Sequence, residues 1–222
     1  MRPFIAAFFM SLVSLPVWAC DLALVLALDV SGSVDQEEYR TQADGLGAAL
    51  RDGAVSDALV AAKARVAVIQ WSGSGRQETS LDWVAIETRS DLAELAARIE
   101  TMPRPWRDYS TAIGEALEFA ALLFDDVSAC KRRVIDVSGD GQSNEGLAPG
   151  EMRGDLRALG ITVNALVIEE SEEGLTDWFR DHVITGPGAF AMRANAFEDY
   201  PARIRQKLLR EVVLQMSGMN RD

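Results

Sequence analysis

Five oxygen-bearing side chains, spread over three segments, have the types and the contexts to hold one hard cation. The first segment reads LALVLALDVSGS over residues 22–33: an apolar run ends on Asp29, and hydroxyls follow at Ser31 and Ser33. The second supplies Thr111, after a proline-containing loop and just ahead of the apolar run Ala112–Phe124. The third supplies Asp140, which follows the run Arg133–Ser138 and precedes Gly141. Ions such as Mg²⁺ take about six oxygens in near-octahedral geometry and often keep waters. Two carboxylates balance the charge of one such ion, and three hydroxyls add neutral oxygens. At least one position is then left for water or an incoming ligand. Glycines at Gly32 and Gly141 would let the backbone turn tightly beside the ion. Aspartate and serine after a strand are also good turn and capping residues, so Asp29 taken alone is equally well read as a cap.

For these residues to meet, the chain must bring separate segment ends to one edge, and its patterning does so. Asp21–Asp29 is apolar without alternation, as in a strand buried on both faces. A helix follows from Val34 to about Arg51, with acids in its first turn. Arg65–Trp71 reads as a strand, Ser72–Gly75 as a turn, and the alternating stretch Glu78–Ile86 as its antiparallel partner. Helices are predicted at Asp91–Thr101, Ala112–Phe124, Glu151–Leu159, Leu175–Val183 and Phe197–Met216. Further strands are predicted at Arg133–Ser138, Thr162–Ile168 and Gly188–Arg193. Strands alternating with helices give an α/β class: a doubly wound, mostly parallel central sheet with one antiparallel edge strand and helices on both faces. Ligands of such sheets bind outside the carboxyl ends of the strands, which places Asp29 and Asp140 at the functional edge.

The trio Asp29-x-Ser31-x-Ser33, with Thr111 in Ser-Thr-Ala-Ile-Gly-Glu-Ala-Leu and the pair Asp140-Gly141, resembles the metal-ion-dependent adhesion site (MIDAS) of von Willebrand factor A domains. The resemblance covers residues 21 to 217. Within that superfamily, the Gly186-Pro187-Gly188-Ala189-Phe190 turn and the closing helix look like a bacterial family of exported, uncharacterised proteins. The resemblance implies a Rossmann-like fold and a divalent cation, Mg²⁺ first, with Mn²⁺ or Ca²⁺ as alternatives. It also implies a protein partner that donates an Asp or Glu carboxylate to the open metal position. One residue departs from the pattern: glycine is common two residues before the threonine, and here Tyr109 stands there, a bulky aromatic that would narrow or decorate the rim.

Other residues border this cluster or offer rival chemistry. Trp106 and Tyr109 immediately precede Thr111, and aromatic residues often anchor interfaces; both are candidate partner contacts, with core packing an equal reading for Trp106. Trp71, Trp83 and Trp178 read as core. Asp136, inside an apolar strand, would need a buried partner and is read as structural or as a support to the site. Ser143 and Asn144 could position waters near Asp140 or simply form a turn. No enzymatic role is expected. His182 is the one histidine and lies far in sequence from the cluster, so a Ser-His-Asp triad has little support. A Mg²⁺-dependent hydrolase using Asp29 at the same strand end is the alternative function; it is weakened because position 31 is serine, where a second acidic residue would be typical. A third reading makes the cluster no more than a set of helix caps.

The first 19 residues read as a signal peptide: Arg2, an apolar stretch from Phe4 to Leu15, and the cleavage site Val17-Trp18-Ala19. Residues 20–222 then form one domain, exported to the periplasm or secreted, with no transmembrane segment in the mature chain. Two cysteines in an exported chain suggest a disulfide. Cys20 lies nine residues before Asp29 and Cys130 ten before Asp140, so neighbouring parallel strands would put both cysteines at the edge opposite the aspartates. A lipid anchor on Cys20 is the competing reading. The net charge of −12 disfavours nucleic acid as a partner.

Overall fold

The computed structural model describes residues 20–216; the signal-peptide reading of residues 1–19 lies outside the described residues. Six strands form one sheet. In chain order they are β1 (Leu22–Asp29), β2 (Arg65–Trp71), β3 (Gln77–Ala85), β4 (Arg132–Gly139), β5 (Ile161–Ile168) and β6 (Ala191–Ala194). Their spatial order is β3-β2-β1-β4-β5-β6, with β3 antiparallel at one edge and the other pairings parallel. The expected α/β architecture is the observed one. The switch point falls at β1, which is flanked by β2 and β4.

Among the described residues seven α-helices cover the sheet. Helices α1 (Gln36–Arg51), α2 (Gly53–Ala61), α3 (Arg89–Thr101) and α7 (Tyr200–Met216) pack on one face; α4 (Ile113–Leu122), α5 (Pro149–Ala158) and α6 (Leu175–His182) pack on the other. β1 shows why its sequence is uniformly apolar. Leu22, Leu24, Leu26 and Leu28 enter the first core, while Ala23, Val25 and Ala27 enter the second. Helix α1 starts where Asp35 accepts from the Glu37 and Glu38 amides at 2.7 and 2.9 Å, and Glu38 accepts in return from the Asp35 amide.

Helix α2 was absent from the sequence reading. Asp52 ends α1 and caps α2 with one carboxylate, accepting from Ala54 and Val55 at 3.0 and 3.2 Å. The residues between are mostly small, and only Val55, Ser56 and Leu59 are buried, so the helical period is faint. Trp71 is fully buried as expected, whereas Trp83 and Trp178 are half-buried. Trp83 keeps its indole N–H near the surface to donate to the Leu123 carbonyl at 3.0 Å.

Asp136 finds its partner on α7. The Lys207 ammonium is fully buried and pairs with Asp136 and, at 2.7 Å, with Glu211 Oε1. Asn164 on β5 donates to Glu211 Oε1 at 3.1 Å and accepts from the Phe190 amide at 2.9 Å. Burial, reinforced by Asp136, pushes the Glu211 carboxyl up to about 8. One ammonium thus serves two carboxyl groups in mid-sheet, which gives Asp136 a structural role. At the far edge a Cys20–Cys130 disulfide joins the starts of β1 and β4. Among the described residues no helix is long and apolar enough to cross a membrane.

Candidate metal centre

The five oxygen-bearing residues converge where β1 and β4 end. Asp29 is the last residue of β1 and is wholly buried, as is Ser31; Thr111 and Asp140 are nearly so, and Ser33 is exposed at the rim. Asp29 Oδ1 accepts from the Ser31 amide at 2.7 Å. The Ser31 and Ser33 hydroxyls lie 3.2 Å apart, and Ser33 Oγ donates to Asp140 Oδ1 at 2.7 Å. Above them opens a depression of about 720 Å³, lined by Gly32, Ser33, Tyr109, Thr111, Gln142 and Glu172 among others.

Asp29 Oδ2 is buried and accepts no hydrogen bond. A buried carboxylate oxygen without a donor is costly, and a cation between the two acids is the group that would satisfy it. Burial pushes the Asp29 carboxyl up to about 8, and repulsion from Asp140 adds to the shift. Burial likewise raises Asp140, partly offset by the Ser33 hydroxyl. Among the described residues no group of three or more His, Cys, Asp or Glu side chains has a metal-binding arrangement. The donor set here is two carboxylates with hydroxyls, which suits Mg²⁺, Mn²⁺ or Ca²⁺ better than a soft metal.

The loops that carry these residues are tied together. The Gly32 amide donates to the Tyr109 carbonyl at 2.8 Å, and a Cβ on Gly32 would come within 3.1 Å of that oxygen, so glycine permits the approach. Asp108, just before, takes the left-handed φ of 58° that turns the chain into this contact. The expectation for Gly141 does not hold: a Cβ there would meet open space. The tight position is Gly139, where a Cβ would sit 3.3 Å from Asp29 Oδ2. The spacing signal had assigned the role to the glycine after the aspartate rather than the one before.

Four supporting side chains carry a weak or ambiguous signal in the sequence. Arg104 donates to the Val30 and Ser31 carbonyls at 3.1 and 2.8 Å, clamping the loop that carries the first three oxygens. Its signal was a cation between Pro103 and Pro105. Gln42, buried on α1, reaches the Asp29 carbonyl at 3.5 Å. Asn144 fixes Thr111 from both sides: its Oδ1 accepts from the Thr111 amide, and its own amide donates to the Thr111 carbonyl, both at 2.9 Å. Ser143 Oγ accepts from the Ile113 amide at 3.2 Å. Asn144→Ala is therefore expected to weaken divalent-cation binding about tenfold, with roughly 1 kcal/mol or less lost in stability. Calorimetric titration beside a denaturant melt separates the two effects.

Tyr109 is 43% exposed, lines the depression and carries the Arg76 guanidinium 3.7 Å from its ring centre. Trp106 is half-buried against the core beneath α1 and α3 and does not line the depression. His182 stands on the surface at the end of α6, stacked on Trp178 with ring centres 5.0 Å apart.

The sequence profile of a family described as a protein of unknown function (DUF1194) matches residues 19–216. No curated protein matches the chain. Among solved structures it is similar to proximal thread matrix protein 1 of the mussel byssus, with TM-score 0.65 and 19% identity over 86% of this chain and 47% of that one. A form of that protein with a zinc-occupied MIDAS motif gives TM-score 0.63 at 19% identity, over 86% of this chain and 48% of that one. An aerotolerance-related membrane protein from Bacteroides fragilis gives 0.55 at 22%, over 84% of this chain and 98% of that one. A von Willebrand factor type A protein from Catenulispora acidiphila gives 0.57 at 16%, over 87% and 43%. The chain spans about half the length of the mussel protein. At these identities the likeness is one of fold, and that fold is the von Willebrand factor A type.

Proposed function

The chain belongs to the DUF1194 family, described as proteins of unknown function, and has a von Willebrand factor A fold; on that premise we propose that it is an exported, metal-dependent protein-interaction module. The observation that carries the reading is the unpartnered Asp29 Oδ2, buried beside the Asp140 carboxylate at the carboxyl edge of the sheet. Asp29, Ser31, Ser33, Thr111 and Asp140 would hold the cation, Mg²⁺ first, with Mn²⁺ or Ca²⁺ as alternatives. When bound, it supplies an electrophilic position that a partner's Asp or Glu carboxylate can occupy. The zinc-occupied MIDAS of the mussel protein supports a divalent ion on this fold. The exposed Tyr109, with the half-buried Arg76 over its ring, would form the rim a partner meets, with Trp106 bracing the loop from below. Export is supported by the apolar leader of the sequence and by the disulfide.

Cation binding on this reading must displace the proton that burial keeps on Asp29. Protonation competes below about pH 8, so Mg²⁺ affinity should rise about tenfold per pH unit up to that value and then level off. Titration near pH 6 and near pH 8, with proton release read in buffers of different ionisation enthalpy, measures this. An affinity independent of pH, or an Asp140→Ala chain that binds Mg²⁺ as the native one does, would sink the reading.

A further inference from the structure

At the opposite end of the strands lies a groove of about 820 Å³ with a different character. Among the described residues six cationic side chains line it, Lys131, Arg132, Arg133, Arg153, Arg157 and Arg180, and no carboxylate does. This is an island of positive charge on a chain whose net charge is −12. Two of the six have carboxylate partners, Lys131 with Asp21 and Arg180 with Asp177. Arg132 donates to the Glu211 carbonyl at 3.4 Å and has a further interaction. The other three are held by neutral oxygens. Arg133 donates to the Leu159 and Ser128 carbonyls at 3.0 and 3.1 Å, Arg153 to the Asp181 carbonyl, and Arg157 to the Thr185 hydroxyl at 3.3 Å. Nε of both Arg133 and Arg153 is buried without a hydrogen-bond partner.

These three guanidiniums are oriented without being neutralised. Arg153 and Arg157 stand four residues apart on α5, a spacing at which like charges repel. Among the described residues neither Arg153 nor Arg157 pairs with a carboxylate, and an anion would offset that repulsion. The floor between them is apolar, from Val134, Ile161, Ile184 and Pro187. The glycine-proline turn singled out in the sequence forms one wall. Gly186 has a φ of +98°, and a Cβ there would come within 2.8 Å of Thr162 Cα, so the turn lies directly against the start of β5.

We propose that this groove binds a phosphate-bearing anion through Arg133, Arg153 and Arg157, independently of the metal centre. Guanidinium forks match phosphate oxygens in pairs, and a phosphate can satisfy several of them at once. A single carboxylate would leave most of the charge unmatched. The apolar floor would take the organic part of a phosphate ester. Its source is either a soluble phosphate or a phospholipid headgroup, and the two are separable.

The test uses two probes on the full chain: inorganic phosphate by calorimetry, and vesicles of phosphatidylglycerol in phosphatidylcholine by co-sedimentation. Binding of phosphate alone indicates a soluble ligand, and binding of vesicles indicates a headgroup; either supports the site. In both arms Arg153→Gln/Arg157→Gln should weaken binding at least about tenfold, with the thermal midpoint unchanged. Arg157→Lys keeps the charge and loses the fork, and should weaken it several-fold even if the double variant folds poorly. Chloride at equal ionic strength should not substitute. The proposal is overturned if neither probe binds, or if the variants bind as the native chain does.

Discussion

Asp29→Asn is expected to cost the protein its divalent-cation binding while making the cation-free fold more stable. Asn keeps the size of Asp and an acceptor for the Ser31 amide, but it carries no charge. In the native chain, burial and Asp140 raise the Asp29 carboxyl from its ordinary 3.8 to about 8. The sign follows from that direction. The cation-free fold has its full stability below the unfolded value and loses it as pH rises toward the folded one. At neutral pH the native chain bears most of this penalty, and the Asn variant bears none, a difference of roughly 2–4 kcal/mol. Affinity should fall by more than about 100-fold, because even the loss of an outer partner of a metal ligand costs 10–100-fold. Urea melts with and without Mg²⁺ read both effects. If the variant were less stable without cation and bound Mg²⁺ normally, Asp29 would be a cap and the metal centre would be lost as an explanation.

Replacing Cys20 and Cys130 together by alanine should lower stability by about 4–5 kcal/mol. The disulfide spans 110 residues of sequence, and cross-links over loops of this length remove the most freedom from the unfolded chain. For a domain of this size that amounts to a fall of about 10 °C or more in thermal midpoint. Cation affinity of the folded fraction should survive, because β1 and β4 stay paired along their length. A midpoint unmoved by the double substitution or by reductant would show that the bond adds nothing to the fold.

Much of the site was readable because its residues sit at the ends of strongly patterned segments. Asp29, Thr111 and Asp140 each stand close to a boundary between buried and exposed chain, and such boundaries show in local composition. What holds them in place was not readable. Arg104 acts through carbonyls some seventy positions away in sequence, and Asn144 through Thr111, thirty-three positions away. Lys207 lies in the closing helix among Arg203, Arg205 and Arg210, yet it is wholly buried between Asp136 and Glu211. Pairings of this kind depend on which segments the fold brings side by side. Gly139 was overlooked for the same reason, since its need for a small side chain is set by Asp29 on the neighbouring strand.

β1 and β4 run side by side in the same direction for some eight residues, roughly 26 Å at an ordinary strand rise. A covalent bond clasps them at their starts, and the Ser33–Asp140 hydrogen bond links their far ends. Together they make a closed frame with the oxygens of the candidate metal centre on its top bar. A tug on that bar would run lengthwise down both strands to the sulfur clasp, so the two strands would share the load and neither would be drawn past the other. The frame is thus a handle suited to bearing tension.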